Sequence, residues 1–216
     1  MLELGQALGG SYSVGPVDFA GCASLDEMVA KVQERCAEGP CVLVGFSMGG
    51  WVAQVVAARS PEKVSALVLV SSWTVAPASY LATVQELHEE IRGGRPLSAL
   101  RAVVREGFAQ STHADALADR WLVMAERVGV ETFLAETSAI LAHPHVEQEA
   151  RGLDCPTLAL AGAADALLPV ESQKSDAGLI SQAAFQVVAG AGHNLVWEQP
   201  AVVGALVGDW LDRSRP

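Results

Sequence analysis

Positive charge is scarce in this chain. Its 216 residues hold 14 lysines and arginines against 25 aspartates and glutamates, a formal net charge of −11. That balance argues against nucleic acid or an anionic membrane surface as the main partner. Cysteine is scarce too: Cys22, Cys36, Cys41 and Cys155 show no C-x-x-C spacing. A chain of this length needs no disulfide framework, so the thiols are expected to be reduced and the protein cytoplasmic. Met1–Gly10 has no basic start and includes Glu3, so it does not read as a signal peptide. An unbroken membrane-spanning run is also missing. Pro40–Ala58 carries no charge and is nearly long enough, but Gly45, Ser47, Gly49, Gly50 and Gln54 interrupt it. It reads instead as buried strand, glycine-rich turn and helix.

What is present is apolar. Half of the residues are hydrophobic and 18% are charged, which fits a well-buried globular domain, with or without an inserted subdomain. Short apolar runs at Tyr12–Phe19, Cys41–Phe46, Ala66–Ser71, Thr157–Gly162 and Phe185–Ala189 are continuous rather than alternating. That pattern suits strands covered on both faces of a parallel sheet. Helical spacing lies between them. Ser24-Leu-Asp-Glu forms a capping box ahead of Leu25, Met28, Val29, Val32 and Cys36. Met48, Trp51, Val52, Val55 and Val56 follow the same period up to Ser60-Pro61, as do Val202, Val203, Leu206, Trp210 and Leu211 near the end. Strands alternating with helices predict an α/β domain with right-handed crossovers. From about Ser72 to Gly152 only helical patterns occur, broken at Gly93-Gly94. The expected division is 1–71 and 153–216 for the core, with 72–152 as a helical insertion.

The sharpest local signal is Gly45-Phe46-Ser47-Met48-Gly49, placed between an expected strand and an expected helix. In that setting G-x-S-x-G holds a serine at a strained bend, with small residues letting the backbones pass. The helix N-terminus then offers free N–H groups to a developing oxyanion. A serine hydroxyl needs a base, and the base needs an orienting acid. Asp165 follows the Thr157–Gly162 run, and His193 sits in Gly190-Ala-Gly-His-Asn after the last run. All three are expected on one rim of the sheet. His143 and His145 flank Pro144 without acidic or cysteine partners at ligand spacing, so they read as loop residues and no metal site is expected. Phe46 and Trp73 adjoin the expected rim and are candidates for lining a substrate pocket.

Four stretches carry a resemblance: Val42-Leu-Val-Gly-Phe-Ser-Met-Gly-Gly-Trp-Val-Ala, Ser60-Pro-Glu-Lys-Val-Ser-Ala-Leu-Val-Leu-Val, Cys155-Pro-Thr-Leu-Ala-Leu-Ala-Gly-Ala-Ala-Asp and Gly192-His-Asn-Leu-Val-Trp-Glu-Gln-Pro. The chain resembles α/β-hydrolase fold proteins with a helical lid, in the esterase and enol-lactonase branch that includes pimeloyl-carrier methyl esterases. The resemblance implies a mostly parallel sheet flanked by helices, with the lid at 72–152. It implies Ser47 as nucleophile, His193 as general base, Asp165 as its orienter and the Met48 amide as an oxyanion donor. It implies hydrolysis of a small carboxylic ester or lactone through an acyl-enzyme, without cofactor or metal. Thioester or C–C bond hydrolysis on the same three residues differs only in substrate.

One departure from the family pattern alters the expectation. No stretch matches the strand and His-Gly-type loop that carry the second oxyanion amide. Met1–Leu8 resembles the tail of the following helix, Gly9-Gly10 its end, and Asp18-Phe-Ala-Gly the family's Asp-x-x-Gly loop. The fold is therefore expected to be N-terminally shortened. A shortened reading of the gene and a degenerate relative both account for it. On the second account the chain is a catalytically impaired hydrolase fold acting as a ligand- or partner-binding module. One sheet face then relies on the C-terminal helix and a short N-terminal remnant, and an incompletely covered sheet invites homo-oligomers.

Overall fold

The computed structural model describes residues 2–8, 12–36, 39–108 and 113–214. Helices α1 (Leu2–Leu8) and α2 (Leu25–Arg35) precede strand β1 (Cys41–Phe46). Helix α3 (Met48–Arg59) leads to β2 (Val64–Val70). A helical block follows: α4 (Ala78–Arg92), α5 (Arg101–Glu106), α6 (Ala114–Val128), α7 (Val130–Ala142) and α8 (Glu147–Arg151). The chain then returns through β3 (Thr157–Gly162), α9 (Val170–Ala177), β4 (Ala183–Val188), α10 (Leu195–Glu198) and α11 (Pro200–Ser214). Among the described residues no helix is long and apolar enough to cross a membrane.

Local chemistry accounts for the element boundaries. Ser24 Oγ accepts the Glu27 amide at 3.3 Å and Glu27 Oε2 accepts the Ala23 amide at 2.8 Å, which satisfies two donors at the start of α2. Gly93 caps α4, and Gly94 takes φ +94°, a conformation that stops a helix.

Among the described residues the sheet has four parallel strands in the order β1-β2-β3-β4. Along β2 the side chains alternate. Leu67 and Leu69 join Trp51, Val52, Val55 and Met28 on one face, whereas Ala66, Val68 and Val70 join Val203, Val207 and Trp210 on the other. Both faces are apolar, which is why the strand reads as an unbroken hydrophobic run. The second face is covered by α11 together with Leu4 and Leu8 of α1.

Register positions the site. Phe46 pairs with Val70, Val70 with Leu160, and Gly162 with Val188. The strands therefore finish along one rim, and the segments after β1, β3 and β4 emerge together, where open α/β sheets bind ligands.

The expected strand at Tyr12–Phe19 does not form. Residues 12 to 19 are irregular, and Val14 is 48% exposed. Among the described strands β1 pairs only with β2, so its outer edge is left without a partner strand and this run does not pair with it. Pro16 also lacks the N–H that a ladder requires. Val17 and Phe19 still pack on the core. Asp18 Oδ1 accepts the Ala20 amide at 2.6 Å and Gly21 takes φ +82°, so the Asp-x-x-Gly stretch is a turn. The helix end expected at Gly9-Gly10 lies outside the described residues.

That turn faces α7. Burial, and secondarily the Asp18 carboxylate, push Glu136 up to about 7. The folded state thus keeps a proton that the unfolded chain has already released. Stability should fall as pH rises from the ordinary glutamate range through about 7, and be fully present below it. Melting curves at about pH 5 and pH 8 should differ by about 1–2 kcal/mol, less than full linkage because the side chain is partly exposed. Glu136→Gln should flatten that dependence and be the more stable protein at the higher pH. A variant with an unchanged pH slope rules this out.

Candidate active site

Ser47 joins β1 to α3 at φ +50°, ψ −120°, a region that costs a non-glycine residue about 1–3 kcal/mol. Its neighbours hold it there. Its amide donates to Val70 O at 2.9 Å, and Ser72 Oγ donates to the Ser47 carbonyl at 2.9 Å. A Cβ on Gly45 would sit 2.4 Å from the Gly50 Cα, so only glycine lets strand and helix pass this closely. Among the described residues the Met48 and Gly49 amides donate no hydrogen bond. They lie in the first turn of α3, where the helix dipole favours negative charge.

Asp165, 7% exposed, stands three residues beyond β3. Its Oδ1 accepts the Leu167 and Leu168 amides at 3.0 and 2.8 Å, and its Oδ2 accepts Gln173 Nε2 at 3.0 Å. His193, 5% exposed, follows β4. Its Nδ1 lies 3.0 Å from Asp165 Oδ2, and its Nε2 lies 3.0 Å from Ser47 Oγ. A carboxylate beside Nδ1 keeps the proton there, which leaves the Nε2 lone pair facing the serine hydroxyl. Such a chain can take a proton from an attacking oxygen and return it to a leaving group.

The three residues singled out by sequence therefore meet. Phe46 also lies at the site, its ring centroid 5.6 Å from that of His193. Trp73 is buried and lines, with Ser72, Thr74 and Asp176, a small cavity of about 10 Å3. It is 1% exposed, stacks on Trp51 at 5.9 Å and donates its indole N–H to Pro144 O at 3.2 Å. The chain turns inward after β2, so a residue just past the strand end is carried into the core. His143 and His145 are exposed, and His145 Nδ1 accepts the Ala76 amide at 3.2 Å.

Sequence reasoning missed three supporting groups. Gln173 orients Asp165 from α9, eight residues downstream, with no local pattern to announce it. Ser72 supports the bend from the end of β2. Glu198 Oε1 accepts the Gly192 amide at 2.8 Å and ties down the loop before His193. Burial raises the Glu198 carboxyl, with the Gly192 amide opposing it. Gln54, read only as a break in an apolar run, is fully buried and bonds Trp73 O and Thr74 Oγ1 at 2.9 and 2.6 Å.

The chain matches the family described as alpha/beta hydrolase fold over residues 9–200. It is 30% identical over 192 residues to the 2-hydroxymuconate semialdehyde hydrolase of Pseudomonas sp. (strain CF600), covering 78% of this chain and 61% of that protein. It is 31% identical over 162 residues to the pimeloyl-acyl-carrier-protein methyl ester esterase of Sodalis glossinidius (strain morsitans), covering 69% and 60%. A thermophilic esterase from Thermogutta terrifontis superposes with a TM-score of 0.84 at 22% identity, covering 100% of this chain and 85% of that one. At that identity the likeness speaks for the fold. The chain spans 38% to 61% of the length of its curated relatives. With the matched residues taking in all four strands and the helices between them, this chain belongs to the alpha/beta hydrolase fold family.

Proposed function

We propose that the protein is a serine hydrolase that cleaves a small carboxylic ester or lactone through an acyl-enzyme. The observation that carries this reading is the relay from Ser47 Oγ to His193 Nε2, at 3.0 Å, and from Nδ1 to Asp165 Oδ2, at 3.0 Å. Ser47 Oγ attacks the carbonyl carbon while His193 Nε2 takes its proton. The carbonyl oxygen becomes an oxyanion opposite the Met48 amide and the start of α3. Collapse expels the alcohol, which leaves with the proton from His193; in a lactone it stays tethered to the acyl chain. Water then attacks the acyl-enzyme, His193 takes its proton, and Ser47 is restored as the acid departs. Every step uses side chains, backbone amides and water.

The helices between β2 and β3, residues 72–152, act in this reading as a lid over the rim. The curated relatives support the reaction class, since both named above are hydrolases and one acts on a methyl ester. A fluorophosphonate probe tests the proposal. The native chain should be labelled in a single stoichiometric event, and Ser47→Ala should not be labelled. Equal absence of label in both leaves the fold as a ligand- or partner-binding module.

A further inference from the structure

Helix α2 and strand β1 meet at their near ends through two thiols. Cys36 caps the end of α2, and Cys41 is the first residue of β1. Gly39, at φ +141°, and Pro40 turn the chain back between them. The two Sγ atoms lie 2.8 Å apart. A disulfide holds its sulfurs about 2.05 Å apart, so side-chain shifts of less than about 1 Å would join them. Both cysteines are free thiols, and among the described residues theirs is the one contact between two sulfur atoms.

The surroundings hold this juxtaposition in place. Cys36 is buried in the core cluster that contains Met28, Val32 and Val64, and Cys41 packs against it. Cys41 Sγ donates to Lys63 O at 3.5 Å, Lys63 Nζ donates to Gln33 O at 3.3 Å, and Gln33 Nε2 donates to Ser60 Oγ at 2.8 Å. The end of α2 and the starts of β1 and β2 are thus tied together around the thiols. Burial, and then the neighbouring Cys36 thiol, push Cys41 up to about 12. Such a thiol is a slow nucleophile near neutral pH. It is also a poor leaving group, so a bridge made from it resists reduction. No group of three His, Cys, Asp or Glu side chains among the described residues could hold a metal ion, so the pair is not part of a metal centre there.

We propose that Cys36 and Cys41 form a disulfide site that staples the end of α2 to the start of β1 under oxidising conditions. The co-reactant is a small-molecule disulfide. Cys41, the more exposed of the two, gives up its proton and attacks one reagent sulfur; a mixed disulfide forms, and one reagent thiol leaves with that proton. Cys36 then gives up its proton and attacks Cys41 Sγ, and the second reagent thiol leaves. Two protein S–H bonds and one reagent S–S bond become one protein S–S bond and two reagent thiols. The protein loses the two electrons that the reagent gains. Ser47 follows the far end of β1, so the staple acts on stability and stands apart from the reaction centre. It ties residues 36–41 into a short ring, which restricts the unfolded chain while the folded one already holds the two sulfurs together.

Oxidised glutathione at mildly alkaline pH tests this on the native, full-length chain, followed by unfolding, alkylation of free thiols and digestion with trypsin. Cleavage after Arg35 and Arg59 leaves both cysteines on one peptide, residues 36–59. That peptide should come out unalkylated and lighter by two hydrogen atoms, and prior reduction should restore a label on each cysteine. The oxidised chain should melt about 4–8 °C above the reduced one. Cys36→Ala should stop at a glutathione adduct on Cys41 and show no such rise. A native chain that stays alkylated at both positions, or stops at the Cys41 adduct, overturns the site. An oxidised chain that melts no higher than the reduced one overturns the staple. Neither readout uses the active site, so the outcome is independent of the hydrolase reading.

Discussion

Ser47→Ala is expected to lower ester turnover by about 10⁶ in kcat, and His193→Ala by a similar factor. The double variant should lose little more, because hydroxyl and imidazole act as one unit and either loss already leaves the carbonyl without an activated nucleophile. Asp165→Asn should cost less, about 10⁴, because it preserves shape but no longer holds the His193 proton on Nδ1. Asp165 has three other donors in Leu167, Leu168 and Gln173, so the substituted amide would also press an N–H group against one of them. Steady-state kinetics on an activated ester, with melting curves to show that each variant folds, give the ordering. Additive losses, or an Asp165→Asn enzyme close to native, would contradict the shared relay.

Gly162→Ala is the second large effect, and it acts through backbone. A Cβ at position 162 would lie 2.1 Å from Gly192 O and 2.7 Å from Ala191 O. The obstacle is main chain, and that chain is held from other directions. Glu198 accepts the Gly192 amide, and a Cβ on Gly192 itself would meet Gly107 O at 2.6 Å. The loop must move, and it carries His193. Crowding of this kind costs about 1–3 kcal/mol, some 2–4 °C of melting temperature per kcal/mol at this chain length. A shift of about 1 Å in the imidazole should cost about 100-fold in turnover. Gly208→Ala in α11 is the comparison, since a Cβ there meets nothing within 4 Å and alanine is the better helix former. It should melt at or slightly above the native temperature. Gly162→Ala behaving the same way would mean the loop is freer than its bonds imply.

The distance between sequence and structure is instructive at particular residues. The bend at Ser47 was legible because strand, small residues and helix start all lie within a few positions, and sterics alone dictate what such a run can do. Asp165 and His193 were legible because each follows an apolar strand run, and parallel strands of similar length finish on one rim. How deeply Trp73 is buried was not legible, because that depends on whether the chain after β2 turns outward or inward, which the adjoining residues do not specify. Gln173 and Glu198 had no local signature. Each matters through what another element places opposite it.

Residue order by itself determined the hydrophobic period, the helix caps and the strained serine, because those follow from interactions spanning a few bonds or one helical turn. Tertiary structure alone decided that 12–19 stays irregular, that Asp165 receives Gln173, and that Val123, Met124 and Val128 of α6 stay exposed. Strand pairing and burial are properties of neighbours distant in the chain, and a neighbour's identity is set only when the sheet closes around it.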